Sequence, residues 1–264
     1  MKKLFVTVLF SFLLFSCSPF QKALKSEDEN FKLEIATKKY EKGKYEKAIR
    51  LFEQIAPNFR GKSQSEKMFY MFAQSYYKTK QYYLAGYQFE KFASSYPKSE
   101  KAQEAAFLGA KCYSKLSPVY SLDQVDTNKA IDKLQTFIDT YPNSEYMAEA
   151  NGIVKLLREK LEKKAFEIAK QYNKISDFKS ALVVFDNFIA DYPGTPYKEE
   201  ALFLKFDSAY KLAINSIPSK MQERLKTSIV CYNNLLKFNP NTKFKTDADL
   251  MLVRINKDLQ QFSK

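Results

Sequence analysis

The chain has 264 residues, 45% of them hydrophobic, carries a formal charge of +13 and contains no histidine. Lacking the side chain that supplies most general bases and metal ligands near neutral pH, it excludes a Ser-His-Asp triad, a Cys-His pair and any histidine-containing zinc site. With only 6 glycines and 9 prolines among many Lys, Glu, Ala, Leu and Phe residues, the composition predicts helices and no long disordered tract.

The first element is an address rather than part of the fold. Lys2 and Lys3 precede an apolar run from Leu4 to Phe15, broken only by Thr7 and Ser11. A membrane-spanning helix takes roughly 20 residues, so this shorter run behind a basic start predicts a secretory signal. It ends in Leu14-Phe15-Ser16-Cys17, which resembles the bacterial lipobox. The resemblance implies removal of residues 1–16 as a lipoprotein signal peptide and lipid attachment at Cys17. Each buried acyl methylene contributes roughly 0.8 kcal/mol, so two or three chains hold a protein on a bilayer. By the same resemblance, Ser18 in place of an inner-membrane retention aspartate implies the outer membrane. The lack of an acidic run over Ser18-Pro19-Phe20-Gln21-Lys22 implies a periplasm-facing location. The mature charge is then +11, with Lys spread along every helix beside Glu and Asp. This reads mainly as a solvated surface that can also favour a membrane face, and nucleic acid is not an expected partner of an exported chain.

Residues 17–30 are expected as a lipidated tether and 31–264 as one repeat domain. Tyr45-x2-Ala48-x3-Phe52-x2-Ile55 is echoed by Tyr82-x2-Ala85-x3-Phe89-x2-Phe92 and by Phe178-x2-Ala181-x3-Phe185-x2-Phe188. Weaker copies are Ala130-x3-Leu134-x2-Phe137 and Ser228-x3-Tyr232-x2-Leu235. Positions i, i+4 and i+7 share one helical face, so each copy predicts an amphipathic helix with a small residue where a neighbour crosses closely. Pro97, Pro142, Pro193 and Pro240 stand twelve residues after the small residue and end four of these helices. Ser99, Ser144, Thr195 and Thr242 follow as expected N-caps, with Pro196 expected in a first turn and Ser63-x2-Glu66 as a capping box. Ala36, Ala73 and Ala169 each precede a second-helix alanine by twelve residues and mark partner helices. Extra length falls at 114–127, in a long helix near 145–174 and at 215–226, before a terminal helix near 244–262. Cys112 and Cys231 sit on apolar helical faces in different repeats and are expected as free, buried thiols.

The small residue, the aromatics and the closing proline are similar to the signature of tetratricopeptide repeats. That resemblance implies an all-α tetratricopeptide-repeat solenoid of about five helical hairpins plus a C-terminal helix. A lipobox followed by such repeats, with Tyr96-Pro97, Tyr141-Pro142 and Tyr192-Pro193 closing three of them, resembles the BamD family of β-barrel assembly lipoproteins. The family implies a non-enzymatic lipoprotein without cofactor or metal. Its implied partners are a BamA-like barrel-forming subunit, unfolded outer-membrane proteins, and the membrane through its lipid. Periplasmic repeat adaptors of the CpoB type, which coordinate peptidoglycan synthesis or cell division, share a very similar pattern and stand as the alternative.

The family register places a peptide groove on the first helix of each hairpin. Carried over by offset, its candidate residues are Thr37 and Tyr40, then Tyr70, Gln74, Tyr77 and Lys78, then Lys170, Asn173 and Lys174. Tyrosine suits such a groove because its ring packs apolar ligand while its hydroxyl bonds. The same tyrosines can equally be read as covers for the seam between paired helices.

Overall fold

The computed structural model describes residues 18–262, so the predicted signal segment and Cys17 lie outside the described residues. The described residues are helical, with no β-strand. In chain order the helices are α1 (Pro19–Lys25), α2 (Glu29–Glu41), α3 (Tyr45–Ile55), α4 (Ser65–Lys78), α5 (Tyr82–Ser95) and α6 (Ala102–Leu116). They continue as α7 (Val125–Thr140), α8 (Met147–Lys174), α9 (Phe178–Asp191), α10 (Lys198–Ile214), α11 (Pro218–Phe238) and α12 (Lys245–Gln260). From α2 to α11 they form the five expected hairpins, and α12 is the expected terminal helix.

The chain divides into two compact units. Of the described residues, one comprises 18–118 and 123–157, and the other 119–122 and 158–262. In both, the repeat pattern is the core. Ala48, Ala85, Ala130, Ala181 and Ser228 are fully buried, and so are the partner alanines Ala36, Ala73 and Ala169. Phe52, Phe89, Leu134, Phe185 and Tyr232 are buried one turn on, followed by Ile55, Phe92, Phe137, Phe188 and Leu235. The small residues let the helices approach, and the larger ones fill the space beside the crossing. α5 and α6 approach closely: a methyl group at Gly86 would meet Cys112 Cβ at 3.3 Å.

Three hairpins share one turn. Gly43, Lys80 and Ser176, each five residues before the second-helix alanine, have φ values of 67°, 60° and 63°. Their N–H groups reach back to Tyr40, Tyr77 and Asn173 carbonyls, and the next N–H groups reach Lys39, Tyr76 and Tyr172 carbonyls. This is the left-handed termination that satisfies the last carbonyls of a helix. Only the first copy places glycine there, so in the other two the surrounding bonds hold an ordinary residue in a left-handed conformation.

The closing prolines act two residues after the helix ends. α5, α7 and α9 stop at Ser95, Thr140 and Asp191, and Tyr96, Tyr141 and Tyr192 then adopt nearly identical non-helical angles. Proline disfavours helical backbone in the residue before it, which fixes these tyrosines. Ser99, Ser144, Thr195 and Thr242 do accept from backbone N–H groups two residues on, at 3.0, 3.1, 3.3 and 3.3 Å. The bonds form in a turn that leads into the helix, since α6, α8, α10 and α12 begin three residues after each hydroxyl. Three expectations change accordingly: Lys101, Tyr197 and Phe244, not Ser99, Thr195 and Thr242, hold the N-cap positions of α6, α10 and α12. Pro196 stands in that turn, ahead of α10, and the Ser63-x2-Glu66 box does not form: α4 begins at Ser65, and Glu66 instead accepts from Ser99 Oγ at 2.6 Å.

The extra length goes where the repeat spacing expected it, into the connection between α6 and α7, the 28-residue α8 and the 21-residue α11. Within the expected tether, α1 is a short helix capped by Ser18, with Pro19 in its first turn. Its Phe20 and Ala23 are buried against α2 and α3.

Candidate binding surface

The first helices of the last four hairpins carry an aromatic residue at one repeated position, Tyr70 on α4, Phe107 on α6, Phe166 on α8 and Phe203 on α10, where α2 has Leu33. The residue four after each closing proline comes over that ring. Tyr146 stacks on Phe107 with centroids 4.8 Å apart, Tyr197 on Phe166 at 4.9 Å and Phe244 on Phe203 at 4.3 Å. In the earliest copy the same place is taken by Lys101, whose Nζ lies 5.7 Å from the Tyr70 centroid. Each aromatic is thereby clasped by the residue leading into the next first helix, or into α12 for Phe203, in stacked or cation–π geometry.

Three residues beyond these clasps stand Glu104, Glu149 and Glu200, and each reaches back to the preceding first helix. In the first unit, Glu104 accepts from the Tyr70 hydroxyl, which also receives Gln74 Nε2 at 3.0 Å. Burial and then the Glu104 carboxylate push the Tyr70 hydroxyl far above its ordinary value. Burial also pushes Glu104 upward, but the bonds from Lys101 and Tyr70 outweigh it and leave the carboxyl below the usual range. Two turns further along α6, Lys111 pairs with Glu149 at 2.6 Å. In the second unit, Lys170 pairs with Glu200 at 2.9 Å. Asn173 Nδ2 donates to Asp207 Oδ2 at 2.8 Å and to Ser208 Oγ at 2.9 Å, and Lys211 Nζ also donates to Asp207. First helices are thus joined to one another by a polar ladder that is already satisfied within the protein.

The nine candidate residues therefore separate. Tyr70, Gln74, Lys170 and Asn173 are rungs of this ladder. Tyr40 and Tyr77 are half-buried, and each ring packs edge-on against the first residue of the second helix, Tyr45 at 5.6 Å and Tyr82 at 5.9 Å. They pack on the hairpin seam while keeping part of the ring exposed. Thr37 lines a groove of ≈790 Å³ between α2 and α4, with Leu33, Glu34, Lys67 and Met71. Lys78 and Lys174 are exposed at the ends of α4 and α8. The first unit brings Tyr40, Tyr70, Gln74 and Tyr77 to one face, whereas Lys170 and Asn173 belong to the second unit.

The sequence reading missed Glu104, Glu149 and Glu200, although a signal was present. All three follow a closing proline by seven residues, and Asp247 stands at the same distance from Pro240. It also missed Glu199, whose carboxylate gathers three donors from the connection before α12: Thr242 Oγ1 at 2.5 Å, Asn239 Nδ2 at 3.1 Å and the Lys243 N–H at 3.3 Å. The Thr242 hydrogen bond, helped by those from Lys243 and Asn239, outweighs burial and holds the Glu199 carboxyl below its ordinary 4.5. A depressed folded-state value means the stabilisation is full above the ordinary carboxylate range and is lost as pH falls through the lowered value. Glu199→Gln is accordingly expected to flatten the acid limb of stability below pH 4.5, read by circular dichroism during acid titration. An acid limb identical to the parent's would show that this carboxylate does not secure α12.

Cys112 and Cys231 are free and buried, and burial pushes the Cys112 thiol up to about 12. Among the described residues no group of three or more histidines, cysteines or acids is placed to hold a metal ion, and no helix is long and apolar enough to cross a membrane.

Paired helices, small residues at the crossings and clasped hairpins define a tetratricopeptide-type repeat protein. Its sequence narrows this further. The family model described as "YfiO: Outer membrane lipoprotein" matches residues 27–176 and 172–262, and the chain belongs to that family. An outer membrane protein assembly factor BamD from Caulobacter vibrioides is 25% identical over 175 residues, covering 66% of this chain and 57% of that relative's length. The BamD proteins of Pasteurella multocida and Rickettsia prowazekii are 23% and 26% identical, covering 80% and 79% of this chain and 85% and 79% of their own lengths. Among solved structures, a Podosopora anserina putative kinesin light chain with TPR-like repeats is 15% identical at a TM-score of 0.31, covering 78% of this chain and 95% of that one.

Proposed function

We propose that this chain is a non-enzymatic lipoprotein of the outer-membrane β-barrel assembly machinery, held on the periplasmic side of the outer membrane by lipid on Cys17. It binds a BamA-like barrel-forming subunit and unfolded outer-membrane proteins. The observation that carries this reading is the family match, which runs through both units from residue 27 to residue 262. The names of three relatives point the same way. A face with half-buried tyrosines beside fixed polar rungs suits an extended strand, because rings accept alternate apolar side chains while the remaining lone pairs of hydroxyls and carboxylates accept backbone N–H groups. The candidate residues Thr37, Tyr40, Tyr70, Gln74, Tyr77 and Lys78 supply this face in the first unit, and Lys170, Asn173 and Lys174 are the counterpart in the second.

The test is purification of the tagged protein from detergent-solubilised membranes. Copurification of a large β-barrel protein is the expected result. Recovery of penicillin-binding or Tol-type proteins without a barrel protein would replace this reading with that of a division adaptor.

A further inference from the structure

The first hairpin concentrates cations close to the start of the described chain. Lys39 lies in the last turn of α2, Lys42 and Lys44 flank Gly43 in the left-handed turn, and Lys47 and Arg50 follow on α3. Lys42, Lys44, Lys47 and Arg50 are exposed, while Lys39 is half-buried. Among the described residues none of the five forms an ion pair with a carboxylate, although Lys38 beside them pairs with Glu34. Exposed Glu41 and Glu46 offset part of the charge and leave an excess of cations. The crowding registers on Lys39, where desolvation first and then Lys44, Lys47 and Lys42 hold the ammonium below its ordinary value.

Three of these cations surround the root of the chain. Lys39 Nζ, Lys47 Nζ and the Arg50 guanidinium lie 5.9, 5.4 and 5.7 Å from the centroid of Phe20. Phe20 is buried where α1 docks on α2 and α3, so this end of the chain is fixed to the hairpin. Only Ser18 and Pro19 separate Phe20 from Cys17, a path of at most about 11 Å.

We propose that Lys39, Lys42, Lys44, Lys47 and Arg50 form a docking surface for the anionic headgroups of the membrane that carries the Cys17 lipid. The first hairpin then rests on the bilayer instead of swinging from a free tether. This rests on the reading of Cys17 as the lipid attachment site. Charge complementarity selects the occupant: cations engage anionic lipid only within roughly a Debye length, about 8 Å at physiological salt, and the short path from Cys17 keeps the cluster near that range.

The test uses full-length protein purified from membranes and reconstituted in phosphatidylcholine vesicles with or without phosphatidylglycerol. A membrane-impermeant amine reagent reports lysine exposure by mass spectrometry. Labelling of Lys42, Lys44 and Lys47 is expected to fall roughly tenfold when phosphatidylglycerol is present and to recover in high salt. Labelling of the exposed Lys98, past the far end of α5 in the same unit, should not change. Equal labelling in both vesicles, with the protein acylated, would overturn the proposal. Intact mass reports the anchor separately. Were Cys17 found unacylated, the anchor reading would fail, and cosedimentation of that same full chain would decide the patch, with preference for phosphatidylglycerol vesicles supporting it and equal binding overturning it. The triple variant Lys42→Gln, Lys44→Gln and Lys47→Gln changes only exposed side chains and should abolish the phosphatidylglycerol-dependent vesicle binding; retention of that dependence would also overturn the proposal.

Discussion

Phe89→Ala is expected to destabilise the first unit by about 3–5 kcal/mol, the range for truncating a buried aromatic to alanine. The ring is fully buried on α5, with Tyr70 and Tyr77 of α4 at centroid distances of 6.2 and 6.3 Å. Neither tyrosine is free to fall into the cavity. Tyr70 is bonded to Glu104 and Gln74, and Tyr77 is braced by Tyr82. A site that cannot collapse keeps its void, and the void adds to the transfer loss of the missing ring atoms. Urea unfolding followed by circular dichroism measures the change, and hydrogen exchange should accelerate most in α4, α5 and α6. A loss below about 1 kcal/mol would mean that the hairpin repacks around the deletion.

The second large effect concerns binding. Tyr40→Ala combined with Tyr77→Ala is expected to weaken affinity for a peptide ending in the last strand of an outer-membrane barrel by about tenfold or more, the scale of losing aromatic anchors from an interface. Both rings are half-buried and lie at equivalent places on α2 and α4, so together they remove the apolar part of the face while Tyr70 and Gln74 keep the polar part. Because each ring also packs on Tyr45 or Tyr82, the variant will lose some thermal stability. The two roles separate in a titration at a temperature where helicity is intact. Unchanged affinity there, with a lowered Tm, would assign these tyrosines to the seam alone.

Much of the fold was legible because it is written in spacing. Ala48, Phe52 and Ile55 and their echoes are buried as a helical face requires, since a 3.6-residue period leaves few alternatives once prolines mark the ends. The long α8 and the extension between α6 and α7 were legible as departures from the period. The docking of α1 was not, because Phe20, Ala23 and Leu24 are too few to set a period and their slot is made by α2 and α3. The capping box at Ser63 failed for a similar reason: Glu66 has a competing partner in Ser99, 33 residues away, which no local motif can weigh. On the candidate surface, residue positions followed from register, but their states did not. Lys170 and Asn173 look free in sequence and are engaged by Glu200, Asp207 and Ser208, residues of the next hairpin. Whether a polar residue faces a ligand or a neighbour depends on the following repeat, and a pattern search confined to one repeat cannot see it.

The clasp of Tyr146 over Phe107, repeated by Tyr197 over Phe166 and Phe244 over Phe203, sets where this molecule can be cut. The sequence period suggests ending a shortened version at a proline such as Pro142. A chain ended there would strip Phe107 of its lid and leave a sticky aromatic at the new terminus. The natural excision boundary instead lies several residues later, past the opening turn of the succeeding helix, so that every retained ring leaves with its own cover.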